Sequence, residues 1–142
     1  MKPIRIAIAD DYKIFRDGIK VGLSADENLQ IILEADNGED LLARLKEQAA
    51  DVILMDLKMP LMDGMEATKE VRKQYPETKV LVVTMYEDDK FIIHLMENGA
   101  NGYLLKSAEP NEIKRAIIDV YEKGYYLNNF VNRILLKKSH AR

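Results

Sequence analysis

Short, uniformly apolar runs alternate along this chain with longer stretches in which apolar positions recur every three or four residues. The runs "IRIAIA" (4–9), "QIILEA" (30–35), "VILM" (52–55), "KVLVVT" (79–84) and "GYLL" (102–105) are brief and rich in β-branched or aliphatic residues, and each predicts a strand. "VILM" is apolar at every position, the pattern of a strand covered on both faces. Between the runs, residues 12–24, 38–49, 63–74, 88–100 and 110–124 have the spacing of amphipathic helices. The first sets Ile14, Phe15, Ile19 and Leu23 at helical intervals, and the second turns Leu41, Leu42 and Leu45 inward. Tyr75-Pro76 closes the third, Gly99 signals the end of the fourth, and the fifth opens at Pro110 and closes at Gly124.

Five strands alternating with five helices predict an α/β fold: a doubly wound, five-stranded parallel sheet with helices on both faces. Sheets of this kind keep their functional crevice at the carboxyl ends of the strands. No internal repeat and no low-complexity segment interrupts the pattern. The last stretch, 125–142, departs from it. Its basic, polar end suits an exposed tail or linker, and "NNFVNRILLKK" predicts a short helix capped by Asn128 or Asn129.

Composition narrows the picture. A chain of 142 residues fits one domain, residues 1–124, followed by the short segment 125–142. Hydrophobic residues at 47% supply a core, and charged residues at 32% solvate the surface. A net charge of -3 argues against nucleic-acid binding through this segment, because such modules are usually basic. The absence of cysteine excludes disulfides and thiolate metal sites and is compatible with a cytoplasmic location. The apolar runs are too short to span a bilayer, and "MKPIRIAIADD" lacks a signal-peptide apolar region, so no membrane role is expected.

Placing each strand's carboxyl end in the crevice brings chemistry together. The first strand delivers Asp10 and Asp11, the third Asp56, the fourth Thr84 and the fifth Lys106. Three carboxylates in one crevice repel one another, and a neighbouring like charge favours protonation. A divalent cation removes the conflict. Mg²⁺ takes oxygen ligands, keeps waters, and uses one or two carboxylates together with phosphate oxygens. Lys106 can pair with an acid or with phosphate oxygens, and Thr84 can donate a hydrogen bond to the same group. Each residue taken alone has a plainer reading: Asp10-Asp11 as a helix cap, Asp56 as a turn acid, Lys106 as a solvated cation, Thr84 as a good strand former. The chemical reading rests on all five meeting at one sheet edge.

The motifs "IADD" (8–11), "LMDLKMPLMDG" (54–64), "VVTM" (82–85) and "GYLLK" (102–106) resemble those of response-regulator receiver domains, over about residues 4–123. "DDYKIFRDGIKVGL" and "GYYLNNFVNRILL" are similar to the NarL/FixJ class, whose members carry a helix-turn-helix output domain after a linker; none follows here. The resemblance implies a flavodoxin-like strand order of 2-1-3-4-5. It implies Asp56 as phosphoacceptor, Asp10 and Asp11 as the pair that holds Mg²⁺, and the Lys58 backbone carbonyl as a further metal ligand. Thr84 and Lys106 match the residues that bind phosphoryl oxygens, and Tyr103 matches the aromatic switch residue. Lys58 and Tyr86 match positions that flank the phosphoryl group. Many receivers have proline after the lysine; here Ser107 follows.

The implied activity is Mg²⁺-dependent acceptance of a phosphoryl group from a histidine kinase or phosphotransfer protein, with a conformational switch that controls an output. Such a protein is a signalling phosphoacceptor rather than an enzyme on other substrates. It would reach DNA, and transcription, only through a further domain. Dimerisation on phosphorylation is expected through the first and fifth helices, with Phe15, Ile117 and Val120 either as contacts or as core. A stand-alone receiver or pseudo-receiver, acting as an interaction module, is the alternative. An aspartate-nucleophile phosphatase would want an acid two residues after Asp56, where Lys58 stands. A flavodoxin-like nucleotide binder would want a small-residue phosphate loop where the chain has "DDYK".

Overall fold

The computed structural model describes residues 2–85 and 89–126. Tyr86 and the short helix expected after Asn128 lie outside the described residues. The elements are β1 (Ile4–Ala9), α1 (Lys13–Leu23), β2 (Leu29–Ala35), α2 (Gly38–Glu47), β3 (Val52–Met55), α3 (Gly64–Gln74), β4 (Lys79–Thr84), α4 (Asp89–Glu97), β5 (Gly102–Leu105) and α5 (Pro110–Lys123). The strands form one sheet in the order β2-β1-β3-β4-β5, every pair parallel.

The period of two along the strands sorts the core into two layers. Ile6, Ile8, Val52, Leu54, Leu81 and Leu104 face α1 and α5, where Ile19, Leu23, Ile113, Ile117 and Val120 cover them. Ala7, Ala9, Ile53, Met55, Val80, Val82 and Tyr103 face the opposite layer, filled by Leu41 and Leu45 of α2, Ala67 and Val71 of α3, and Ile92 and Leu95 of α4. Helices on both faces are why "VILM" reads as continuously apolar.

Local chemistry sets the helix ends. The Asn37 side chain accepts from the Asp40 amide, and the Asp63 side chain accepts from the Glu66 amide, each satisfying an open N-terminal donor. Pro110 occupies the first turn of α5, and Gly124 ends it with φ 89°, a left-handed conformation that glycine adopts without steric cost. Beyond α5 the Tyr126 amide donates to the Asn101 carbonyl, and its hydroxyl donates to Glu112.

One expectation changes, and one open alternative resolves toward the core. Ile14 is 88% exposed rather than inward, because the buried stripe of α1 runs through Arg16, Ile19 and Leu23. Ile117 and Val120 are fully enclosed in the α1–α5 layer and cannot act as dimer contacts; Phe15 is only partly buried. The apolar groups that α1 does expose are Ile14 and Val21.

Candidate functional site

The carboxyl ends of β1 and β3 lie side by side, with Ala9 opposite Met55, so the residues that follow them are delivered to one place. Asp10, 1% exposed, leaves β1 with its amide on the Ala35 carbonyl (3.0 Å), and its Oδ1 accepts from the Tyr12 amide (2.9 Å). Asp56, 5% exposed, leaves β3 with its amide on the Ala9 carbonyl (2.9 Å), and its Oδ1 accepts from the Leu57 amide (2.9 Å). Asp11 is exposed at the mouth. One oxygen from each of Asp10, Asp11 and Asp56 can be chosen so that all lie within 4.8 Å of one another.

Lys106 reaches this cluster from the end of β5, its amide held by the Thr84 carbonyl at 2.8 Å. Its Nζ stands 2.7 Å from Asp10 Oδ2 and 3.5 Å from Asp56 Oδ2. The ammonium also lies over the Phe15 ring (4.5 Å to the centroid) and near the Tyr12 ring (5.3 Å). Thr84 is fully buried, and its Oγ1 has no hydrogen-bond partner among the described residues. A buried hydroxyl without a partner is costly, so a ligand acceptor at this edge would repay it.

The loop after Asp56 is shaped by its backbone. The Met62 amide donates to the Pro60 carbonyl at 2.7 Å across Leu61, whose φ of 67° is a strained γ-turn conformation for a side-chain-bearing residue. The Gly38 amide donates to the Met62 carbonyl at 3.0 Å, and so fixes the loop to the start of α2. A methyl group on Gly64 would overlap the Asp56 carbonyl, so only glycine lets α3 begin this close to the acid. The result is a cleft of about 740 Å³, whose lining includes Asp11, Asp56, Lys58 and Lys106 together with apolar Met59, Met65 and Phe91.

The electrostatics follow from the geometry. Burial, and then the charge of Asp10, push the Asp56 carboxyl up to about 6, while Lys106 and the Leu57 amide pull the other way. A divalent cation would offset both raising influences, so the donor set fits Mg²⁺: hard oxygen ligands, one of them exposed to water, in a cleft open to a phosphoryl group.

Asp10, Asp11, Asp56 and Lys106 therefore meet at one sheet edge, whereas Thr84 is tied to them only through its carbonyl on the Lys106 amide. Tyr103 is 1% exposed and packed in the layer with Ile92 and Leu95. Lys58 lines the cleft. Sequence reasoning missed Tyr12, Phe15 and Arg16. The signal for Arg16 was present, since a cation stands three residues before Ile19 on the apolar stripe of α1.

Residues 6–118 match the response regulator receiver domain family, and the chain belongs to that family. Its relatives place it in the NarL/FixJ class. It is 40% identical over 136 residues to the response regulator GacA of Pseudomonas aeruginosa, covering 96% of this chain and 64% of that protein. It is 34% identical to the transcriptional regulatory protein DegU of Brevibacillus brevis, covering 95% of this chain and 57% of the relative. The chain thus spans about three fifths of the length of these curated relatives. Among solved structures, a LuxR-family two-component response regulator from Aurantimonas sp. SI85-9A1 superposes with a TM-score of 0.88 at 26% identity, covering 98% of this chain and 99% of that one. No helix among the described residues is long and apolar enough to cross a membrane.

Proposed function

We propose that Asp56 accepts a phosphoryl group in a Mg²⁺-dependent reaction. The observation that carries this reading is the cluster of Asp10, Asp11 and Asp56 oxygens within 4.8 Å of one another at the mouth of one cleft. Asp10, Asp11, Asp56 and the Lys58 carbonyl would hold the cation. When bound, Mg²⁺ supplies charge neutralisation to the carboxylates and phosphoryl oxygens. The Asp56 carboxylate attacks phosphorus, the bond from phosphorus to the donor imidazole nitrogen breaks, and its electron pair stays on that nitrogen. The product is an aspartyl phosphate. Lys106 leaves Asp10 for a phosphoryl oxygen, and the Thr84 hydroxyl donates to another.

The donor is a histidine kinase or phosphotransfer protein, and the setting is the cytoplasm. The receiver occupies 1–124, and 125–142 leads toward an output domain that acts on DNA. Thr84 and Tyr103 form the switch, and phosphorylation favours a homodimer. The protein catalyses only its own phosphorylation and dephosphorylation. Incubation with acetyl phosphate and Mg²⁺ should place base- and hydroxylamine-labile label on the wild type and none on Asp56→Asn. Label retained by the variant, or undiminished in chelator, would refute the assignment.

A further inference from the structure

Arg16 stands on the buried stripe of α1, its side chain 11% exposed. A guanidinium so placed is tolerated only when its donors are engaged. Its Nε donates to Glu34 Oε1 at 3.0 Å, and its Nη1 donates to Asp36 Oδ1 at 2.9 Å. Those two acids already supply opposite charge. The same Nη1 makes a third, shorter bond, at 2.6 Å, to the backbone carbonyl of Asp10.

That bond completes the fixing of Asp10. Its amide is on Ala35, its Oδ1 on Tyr12, its Oδ2 on Lys106, and its carbonyl on Arg16. The carbonyl belongs to the peptide that joins Asp10 to Asp11. A peptide unit is planar and rigid, so holding its oxygen also sets where the exposed Asp11 begins. The guanidinium approaches the acidic pair from its main-chain side, whereas Lys106 stands among the carboxylate oxygens. Arg16 therefore holds the acidic pair from its main-chain side without occupying a position that a cation needs.

We propose that Arg16 is a positioning residue for the acidic pair: its bond to the Asp10 carbonyl orients the Asp10-Asp11 peptide so that both carboxylates meet one divalent cation. This rests on the reading of the cluster as a Mg²⁺ site. Arg16 touches neither cation nor phosphoryl group. A purely architectural role would instead have it tie α1 to β2 through Glu34 and Asp36. The two roles separate because those acids can be neutralised while the bond to Asp10 stays.

The test is calorimetric titration of the full chain with MgCl₂, alongside thermal melting. Arg16→Met is expected to weaken Mg²⁺ binding about tenfold, the scale of losing a group that orients a ligand. The Glu34→Gln/Asp36→Asn double variant is expected to melt lower yet bind Mg²⁺ as wild type does. An Arg16→Met protein that melts cooperatively and keeps wild-type affinity would overturn the proposal. So would a double variant that loses as much affinity as Arg16→Met. If Arg16→Met does not fold, Arg16→Lys carries the test: the ammonium keeps the charge but not the fork, weakened binding supports the proposal, and wild-type affinity overturns it. A wild type that binds no Mg²⁺ would overturn the reading of the site itself, an outcome distinct from the others.

Discussion

Asp56 is held in a place that disfavours its charged form. Its carboxyl titrates at about 6, above the value of about 4 for an unfolded aspartate. Between those values the folded chain binds the proton more tightly than the unfolded one. This group's contribution to stability is therefore greatest below about pH 4 and is lost as the pH rises through about 6. At neutral pH, without metal, Asp56→Asn should melt higher than wild type, and the gap should close as the pH falls toward the lower limit. Melting curves in chelator across that range check this; a pH-independent gap would refute it. Mg²⁺ should be weakened more by Asp11→Ala than by Thr84→Ala, since only the carboxylate is a credible ligand. A titration with the reverse order would count against the cluster as the metal site. The meeting of Asp10, Asp11, Asp56 and Lys106 was legible because a parallel sheet puts all its carboxyl ends on one edge. The contact of Phe15 on α1 with Lys106 was not, because nothing local aims Phe15 at the residue that follows β5.

At the scale of elements, the β3–α3 loop concentrates backbone constraint. Leu61 is exposed and sits at φ 67°, where a side chain costs about 1–2 kcal/mol and glycine costs little. Allowing about 0.5–1 kcal/mol for the greater freedom of glycine in the unfolded chain, Leu61→Gly should stabilise by up to about 1.5 kcal/mol. Gly64→Ala should do the opposite, costing about 1–3 kcal/mol, because the methyl must displace the Asp56 carbonyl. Denaturant midpoints measure both, and a neutral Gly64→Ala would mean that α3 shifts freely. Pro60 and Gly64 are residues that favour a turn here. Which residue would take the left-handed conformation was hidden, since leucine is not a residue that favours it.

For the molecule as a whole, the two core layers make the sheet a rigid platform, while the acids at its edge remain a local source of repulsion. A cation that binds only the folded chain should raise stability by about 2.7 kcal/mol when free Mg²⁺ is about 100 times its dissociation constant. Thermal melts with MgCl₂ should move upward in wild type and much less in Asp11→Ala. An equal shift in both would place the stabilising cation elsewhere. Any dimer built on α1 would use Ile14 and Val21, the apolar side chains it leaves exposed, since Ile117 and Val120 are committed to the core.

The order of elements, the parallel sheet and the identity of the crevice acids were written in the sequence, because they depend on periodicity and on strand ends that local patterning reveals. The alternation of Ile6 and Ile8 with Ala7 and Ala9 even sorts the two layers. Tertiary structure alone decided the rest. It turned Ile14 outward, buried Tyr103, left the Thr84 hydroxyl without a partner among the described residues, and brought Arg16 onto the Asp10 carbonyl. Each depends on the angle at which a helix lies across the sheet, and a one-residue rotation of α1 would put a different side chain beside Asp10.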